Sequence, residues 1–128
     1  MTDRFKIAIP TEGEGGLDAQ RSAHFGHADS FTVVEVADGA IVGGGTLVNP
    51  PHEHGGCGRT VGMLAAHGVD TAIVVGMGGG PLAAMATHGI AAFFDDANAT
   101  PAAAVAAFIG GTRTPFGSDD LCNHGESR

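Results

Sequence analysis

Basic residues are scarce in this sequence. Six lysines and arginines stand against fourteen acidic residues, the formal net charge is −8 at pH 7, and Lys6 is the single lysine. Nucleic-acid binding needs a basic surface that neutralises phosphates, and attraction to an anionic membrane needs clustered lysine and arginine. We therefore expect neither a nucleic-acid partner nor a membrane partner.

Tryptophan and tyrosine are absent, and cysteine is rare. No apolar run approaches the roughly 18 residues of a membrane-spanning helix, and residues 1–6 lack the apolar segment of a signal peptide. The two cysteines, Cys57 and Cys122, are too few for a disulfide framework. These features predict a cytoplasmic protein with reduced thiols.

Glycine, in contrast, is abundant, with 22 of 128 residues. The glycines separate apolar segments instead of forming one low-complexity tract, and the length is typical of one domain. We predict a folded domain over residues 1–111 and a polar, flexible tail over residues 112–128. Cys122 and His124 in that tail could add ligands to a site, but a loose chain end is the simpler interpretation.

The apolar pattern predicts the element order β–ββ–α–β–α–β–α. Predicted strands cover residues 5–10, 31–37, 40–48, 69–75 and 90–94, and predicted helices cover residues 59–67, 81–88 and 101–109. Asp38-Gly39 is typical of a two-residue hairpin turn, and Pro81 and Pro101 are expected to be the first residues of their helices. This order predicts an α/β fold with a mixed five-stranded sheet, one antiparallel hairpin, and helices on its faces.

Two loops concentrate histidine and cysteine. His24 and His27 precede the second strand, and His52, His54 and Cys57 precede the first helix. Imidazole and thiolate ligands suit iron, copper or zinc better than magnesium, and a helix N-terminus favours the thiolate form of a cysteine. Solvated loop histidines and an ordinary thiol are the alternative interpretation.

Glycines accompany these residues and could bring backbone N–H groups close to a bound anion. The candidate cofactor-contacting glycines are Gly26, Gly55, Gly56, Gly58, Gly76, Gly78 and Gly79. The segment 75–81 (VGMGGGP) departs from the dinucleotide fingerprint because Pro81 occupies the third glycine position. A tight turn or a nest for another anion is therefore favoured over dinucleotide binding there. No nucleophile with an oriented base is evident, so we expect no enzymatic activity.

Several motifs occur together in a definite order. They are AHFGHA at 23–28 before a strand, Asp38-Gly39 in a hairpin, Asn49-Pro50, HGGCG at 54–58, GVD at 68–70, and GMG at 76–78 through Gly89-Ile90. In this order they resemble the dinitrogenase iron–molybdenum cofactor biosynthesis family over roughly residues 5–110. The resemblance implies a ribonuclease H-like, three-layer α/β/α fold. It makes residues 1–111 a nitrogenase accessory factor-like domain that binds a metal–sulfur cluster without turnover chemistry.

The resemblance also implies a ligand set of His24, His27, His54 and Cys57, to which proximity adds His52. The leading hypothesis is a carrier of an iron–sulfur or iron–molybdenum cluster that exchanges its cargo with donor and acceptor proteins. A mononuclear metal-binding or regulatory protein is one alternative. An anion- or nucleotide-binding module that uses the Gly76–Pro81 loop is another.

Overall fold

The computed structural model describes residues 4–49 and 56–117, with residues 56–58 described by their backbone alone. The elements in chain order are β1 (Arg4–Thr11), β2 (Ser30–Ala37), β3 (Ala40–Val48), α1 (Gly56–Ala66), β4 (Thr71–Val74), α2 (Gly79–His88), β5 (Ala91–Phe94), α3 (Pro101–Ile109) and β6 (Thr114–Pro115). The predicted order of strands and helices is confirmed up to α3. Among the described residues, no helix has the length and apolarity that crossing a membrane requires.

The strands form one mixed sheet in the order β3-β2-β1-β4-β5-β6. Strands β1, β4 and β5 are parallel to one another. Strand β2 runs antiparallel to β1, β3 runs antiparallel to β2, and β6 runs antiparallel to β5. The prediction of five strands was wrong by one, because the two residues of β6 are too few to show an alternating pattern. Phe116 follows β6 and is only 5% exposed, so core packing continues beyond residue 111.

Apolar residues cover both faces of the sheet, which gives the predicted three-layer α/β/α arrangement. Successive strand residues point to opposite faces, and each face has its own cluster of buried side chains. The cluster under α1 and α2 includes Ala8, Phe31, Val33, Val61, Leu64, Ala72, Val74 and Met85. The cluster under α3 includes Ile7, Ile9, Val34, Val36, Ile73, Ala104, Val105 and Phe108.

The β2–β3 hairpin turns at the predicted residues. Asp38 and Gly39 have φ values of 53° and 80°, which is the conformation of a type I′ turn. Farther along β3, Gly44 has a φ of 152°, and a Cβ atom there would overlap the carbonyl oxygen of Val33. At Gly44, the close approach of two strands therefore requires glycine.

Replacing Gly44 by alanine is expected to lower the free energy of unfolding by at least about 2 kcal/mol, because the new methyl group collides with β2 and the backbone is strained. Gly45→Ala is the matched control, since a Cβ atom at Gly45 meets nothing within 4 Å. Gly45→Ala is expected to be neutral or to raise the free energy of unfolding by up to about 1 kcal/mol, because glycine in a strand interior is less favourable than alanine. Chemical denaturation of both variants measures the difference, and equal stabilities would contradict this account of Gly44.

The helix ends agree with prediction in one case and differ in another. Thr100 caps α3 by accepting a hydrogen bond from the Ala103 N–H at 3.2 Å, and Pro101 is the first helical residue, as predicted. The prediction that Pro81 begins α2 was wrong, since the helix begins at Gly79 with Gly78 as its N-cap. A proline fits anywhere in the first turn, where backbone N–H groups have no helical partner.

Candidate functional site

Several loops meet at one edge of the sheet. The parallel strands β1, β4 and β5 all end there, and the pairings Thr11↔Ser30 and Ser30↔Val48 place the start of β2 and the end of β3 at the same edge. Ligand sites in open α/β sheets usually lie outside the carboxyl ends of the parallel strands. The loops that contain His24, His27 and the glycine segment after β4 all lie at this edge.

Phe25 fixes the loop that carries the two histidines. Its side chain is 1% exposed, and its ring centroid lies 5.1 Å from that of Phe31 in the core. Its N–H donates a hydrogen bond to the carbonyl oxygen of Gly76 at 3.1 Å. The histidine loop is therefore anchored in the core and held directly against the glycine loop that follows β4.

The side chains on either side of this anchor, His24 and His27, are exposed. Their ring centroids lie 6.4 Å apart, and the rings are nearly perpendicular. The Ser22 hydroxyl donates to the His24 carbonyl oxygen at 3.0 Å and accepts from the His24 N–H at 3.3 Å, which fixes the backbone there. Two exposed imidazoles can supply part of a ligand set, and the remaining ligands would come from elsewhere.

Asn49 joins the histidine loop to α1. Its Nδ2 group donates to the carbonyl oxygens of Gly26 at 3.3 Å and Ala28 at 2.6 Å, while its Oδ1 accepts from the Thr60 hydroxyl at 3.2 Å. The first half of α1, which includes Cys57, is thus tied to the histidine loop. In the sequence, Asn49 stood out only as part of a motif, and its position between a strand and the second histidine-rich segment was the available signal for its role.

Part of the predicted ligand set lies outside the side chains that the structure describes. His52, His54 and Gly55 lie outside the described residues, as do Cys122 and His124. Gly56, Cys57 and Gly58 are the first residues of α1 and are described only by their backbone. Within the side chains that the structure describes, no group of three or more histidine, cysteine, aspartate or glutamate residues could hold a metal ion.

The glycine loop after β4 presents the N-terminus of α2. Met77 is buried and secures the loop, whereas Gly79 and Gly80 are exposed, and the N-cap residue, Gly78, has no side chain with which to cap the helix. A Cβ atom at Gly80 would meet nothing within 4 Å, and one at Gly78 would make only an ordinary contact with Pro81. The packing of the chain does not require glycine at 78 or 80. Their lack of side chains lets a ligand approach the backbone N–H groups at the positive end of the helix dipole.

Arg21 connects the histidine loop to the turn between β5 and α3. Its Nη1 group donates to the Asn98 carbonyl oxygen at 2.9 Å and lies 3.5 Å from the Asp95 carboxylate. Burial lowers the pKa of the Arg21 guanidinium, and the Asp95 carboxylate opposes that change. The burial of Arg21 was not predicted from the sequence, because an arginine in a polar loop is ordinarily solvated.

The loops of this edge all fall within the match to a known protein family. A family model described as "Dinitrogenase iron-molybdenum cofactor" matches residues 5–111. The chain belongs to this family. The resemblance found in the motifs is thereby confirmed, and the matched range includes all the loops of the candidate edge.

Solved structures share the fold of this dinitrogenase cofactor family member. The apo form of the orange protein from Desulfovibrio gigas is 27% identical, with a TM-score of 0.75 over 86% of this chain and 91% of that chain. A Thermotoga protein named as a NifB candidate is 22% identical, with a TM-score of 0.70 over 88% and 93%. A Methanocaldococcus jannaschii protein named as a dinitrogenase candidate is 14% identical, with a TM-score of 0.69 over 88% and 95%. The last two show the fold alone, and a comparison with curated proteins gave no match.

Proposed function

We propose that this family member binds a metal–sulfur cluster, of iron–sulfur or iron–molybdenum type, and carries it between donor and acceptor proteins in the cytoplasm. The domain catalyses no reaction of its own in this proposal. The observation that carries it is the hydrogen bond from the Phe25 N–H to Gly76 O. This bond places the loop with His24 and His27 against the glycine-rich start of α2.

The chemistry of the two loops is complementary. Imidazole nitrogens from His24 and His27, with His54 and Cys57 from the second predicted segment, would bind metal atoms of the cargo. The exposed backbone N–H groups at the start of α2 would donate hydrogen bonds to its sulfides. Exposed ligands suit delivery, because an acceptor protein can reach the cargo without unfolding the carrier.

Metal and acid-labile sulfide analysis of one anaerobically purified sample, from cells supplied with iron and molybdate, tests the proposal. Iron or molybdenum accompanied by sulfide is the expected result. Metal without sulfide would favour the mononuclear alternative. If the isolated protein carries no metal, reconstitution with iron and sulfide decides, and failure to take up a cluster then contradicts cluster carriage.

Gly78→Ala is expected to weaken cluster binding about tenfold while leaving the domain folded. The added methyl group stands where the cargo would approach the backbone, and it makes only an ordinary contact within the chain. Titration of the reconstituting cluster, followed by its visible absorption, measures the affinity. Gly62→Ala in α1 is the control, because a Cβ atom there meets nothing within 4 Å. Equal affinities of the two variants would contradict backbone contact at Gly78.

A further inference from the structure

Strand β3 is the outer strand of the sheet, and it lacks the features that usually protect such an edge. Within the part of the chain that the structure describes, β2 is its only neighbour in the sheet. Its nine residues, AIVGGGTLV, include no charged residue and no proline. Natural proteins commonly use a lysine, a proline or a cover to block the outward N–H and C=O groups of an edge strand. Strand β3 instead offers these groups to another strand.

The large apolar side chains that are exposed in the described residues gather around β3. Ile41, Val42 and Val48 belong to the strand itself, and the exposed fraction reaches 58% at Val42 and 77% at Val48. Leu17 is also exposed, and it lines a groove together with Ile41. A concentration of exposed apolar residues marks a surface that another molecule covers. A contact along β3 would therefore bury apolar area in addition to pairing the backbone.

Glycines open the sheet beside β3 on both faces. Gly44 pairs with Val34, which belongs to the cluster under α3, and Gly45 pairs with Val33, which belongs to the cluster under α1 and α2. A groove of about 300 Å³ lies on the α3 side and one of about 220 Å³ on the other side, and both are lined by these two glycines. Side chains of an added strand alternate between the faces, so they would enter both grooves.

A second copy of β3 would supply side chains that fit these grooves. In a two-fold symmetric antiparallel pair, one residue lies directly opposite its own copy. With Thr46 at that position, Val48 of each copy lies opposite Gly44 of the other, and Leu47 lies opposite Gly45. Centring the pair on either glycine would place glycine against glycine and fill nothing. These residues all lie in the regular part of the β2–β3 ladder, beyond its bulge.

The acidic character of the chain is compatible with this pairing at physiological salt. Glu35 lies in β2 opposite Gly43, and with Thr46 at the axis its two copies would be roughly 25 Å apart. That distance exceeds the Debye length of about 8 Å. Glu14 is exposed, and its neighbour Gly15 lies close to Thr46. Repulsion between the two copies of Glu14 would weaken the pairing at low ionic strength, so added salt should strengthen it.

We infer that two copies of this chain associate through β3 as an antiparallel, two-fold symmetric dimer, which joins their six-stranded sheets into one. A single pair of strands buries less area than a standard protein interface, so the dimer is weak, with a Kd in the micromolar range. The candidate edges of the two copies point in opposite directions, because the paired strands are antiparallel. The dimer does not depend on cluster carriage.

Sedimentation equilibrium of the cluster-free protein, from about 10 μM to about 1 mM, tests this inference. A reversible monomer–dimer equilibrium that tightens with added salt is expected. A monomer at every concentration would overturn the inference. Open-ended association would overturn it as well, because a two-fold contact closes at two copies.

A charge at the axis identifies the surface that associates. Thr46→Glu places two carboxylates opposite each other, and we expect the dimer Kd to rise at least about tenfold. Thr87→Glu is the matched control, because it adds the same charge at an exposed position in α2. Equal dimerisation of the two variants would overturn the inference. If Thr46→Glu does not fold, Val48→Glu decides, since Val48 is exposed and belongs to neither core cluster.

Cysteine cross-linking tests the register, with Cys57 and Cys122 replaced by serine. Thr46→Cys is expected to form an intermolecular disulfide on mild oxidation, because residues directly opposite each other have Cβ atoms about 4.5–5.5 Å apart. Gly45→Cys is the control, since a Cβ atom there meets nothing within 4 Å but faces Leu47 of the second copy. Absence of the Thr46→Cys dimer, or equal cross-linking at Gly45→Cys, would overturn this register. Cluster loading is measured separately, so either proposal can fail alone.

Discussion

Alanine at His24, His27 and His54 together is expected to abolish cluster binding and to leave the domain folded. The side chains of His24 and His27 are exposed and belong to neither core cluster, so their loss should change the free energy of unfolding by about 0.5 kcal/mol or less each. Removing them takes away the imidazole ligands on which the proposed cargo depends. Metal and sulfide content after reconstitution, together with thermal unfolding, measures both effects.

The matched control uses histidines that the fold places elsewhere. His67 follows α1, with its Nδ1 atom 2.9 Å from the Met63 carbonyl oxygen, and His88 lies in the last turn of α2. Both positions lie at helix C-termini, where a histidine interacts favourably with the last carbonyls. A His67→Ala, His88→Ala variant should keep its cluster. Retention of the cluster by the triple variant would contradict the proposed ligands.

Phe25→Ala is expected to lower both stability and cluster binding. Removing a fully buried phenylalanine typically costs about 3–5 kcal/mol, and this one is 1% exposed and packs on Phe31. Its side chain also anchors the segment between the two histidines, so the loop should lose its fixed position against Gly76. Denaturant titration measures the stability change, and cluster titration measures the affinity.

Phe116→Ala separates the two effects. Phe116 belongs to the same core cluster and is 5% exposed, but its N–H bonds to Ala92 O near the start of β5, away from the histidine loop. This variant should lose comparable stability and keep its affinity for the cluster under conditions where it is folded. If both variants lose affinity equally, Phe25 acts through global stability alone.

Local chemistry in the sequence determined much of this protein. The Asp38-Gly39 turn, the Thr100 cap with Pro101, and the apolar, partly β-branched runs of β1 and β2 each depend on a few neighbouring residues. Their elements were predicted correctly for that reason. The start of α2 was missed because Gly79 and Gly80 are poor helix formers, although both belong to the first turn of the helix.

The candidate edge was decided by contacts between distant parts of the chain. Sequence motifs identified His24, His27 and the glycine loop as separate features, but the bond from Phe25 to Gly76 depends on β1 and β4 being parallel neighbours. Asn49 and Arg21 gained their roles in the same way, since Gly26 and Ala28, which Asn49 contacts, and Asn98, which Arg21 contacts, lie more than 20 residues away in sequence. Strand β6 likewise depends on a distant contact, because its two residues are in a strand through their antiparallel pairing with β5. The sequence by itself determined the elements and the chemistry available in each loop, because those depend on neighbouring residues. Strand order determined which loops meet, because it is set by packing across the whole sheet.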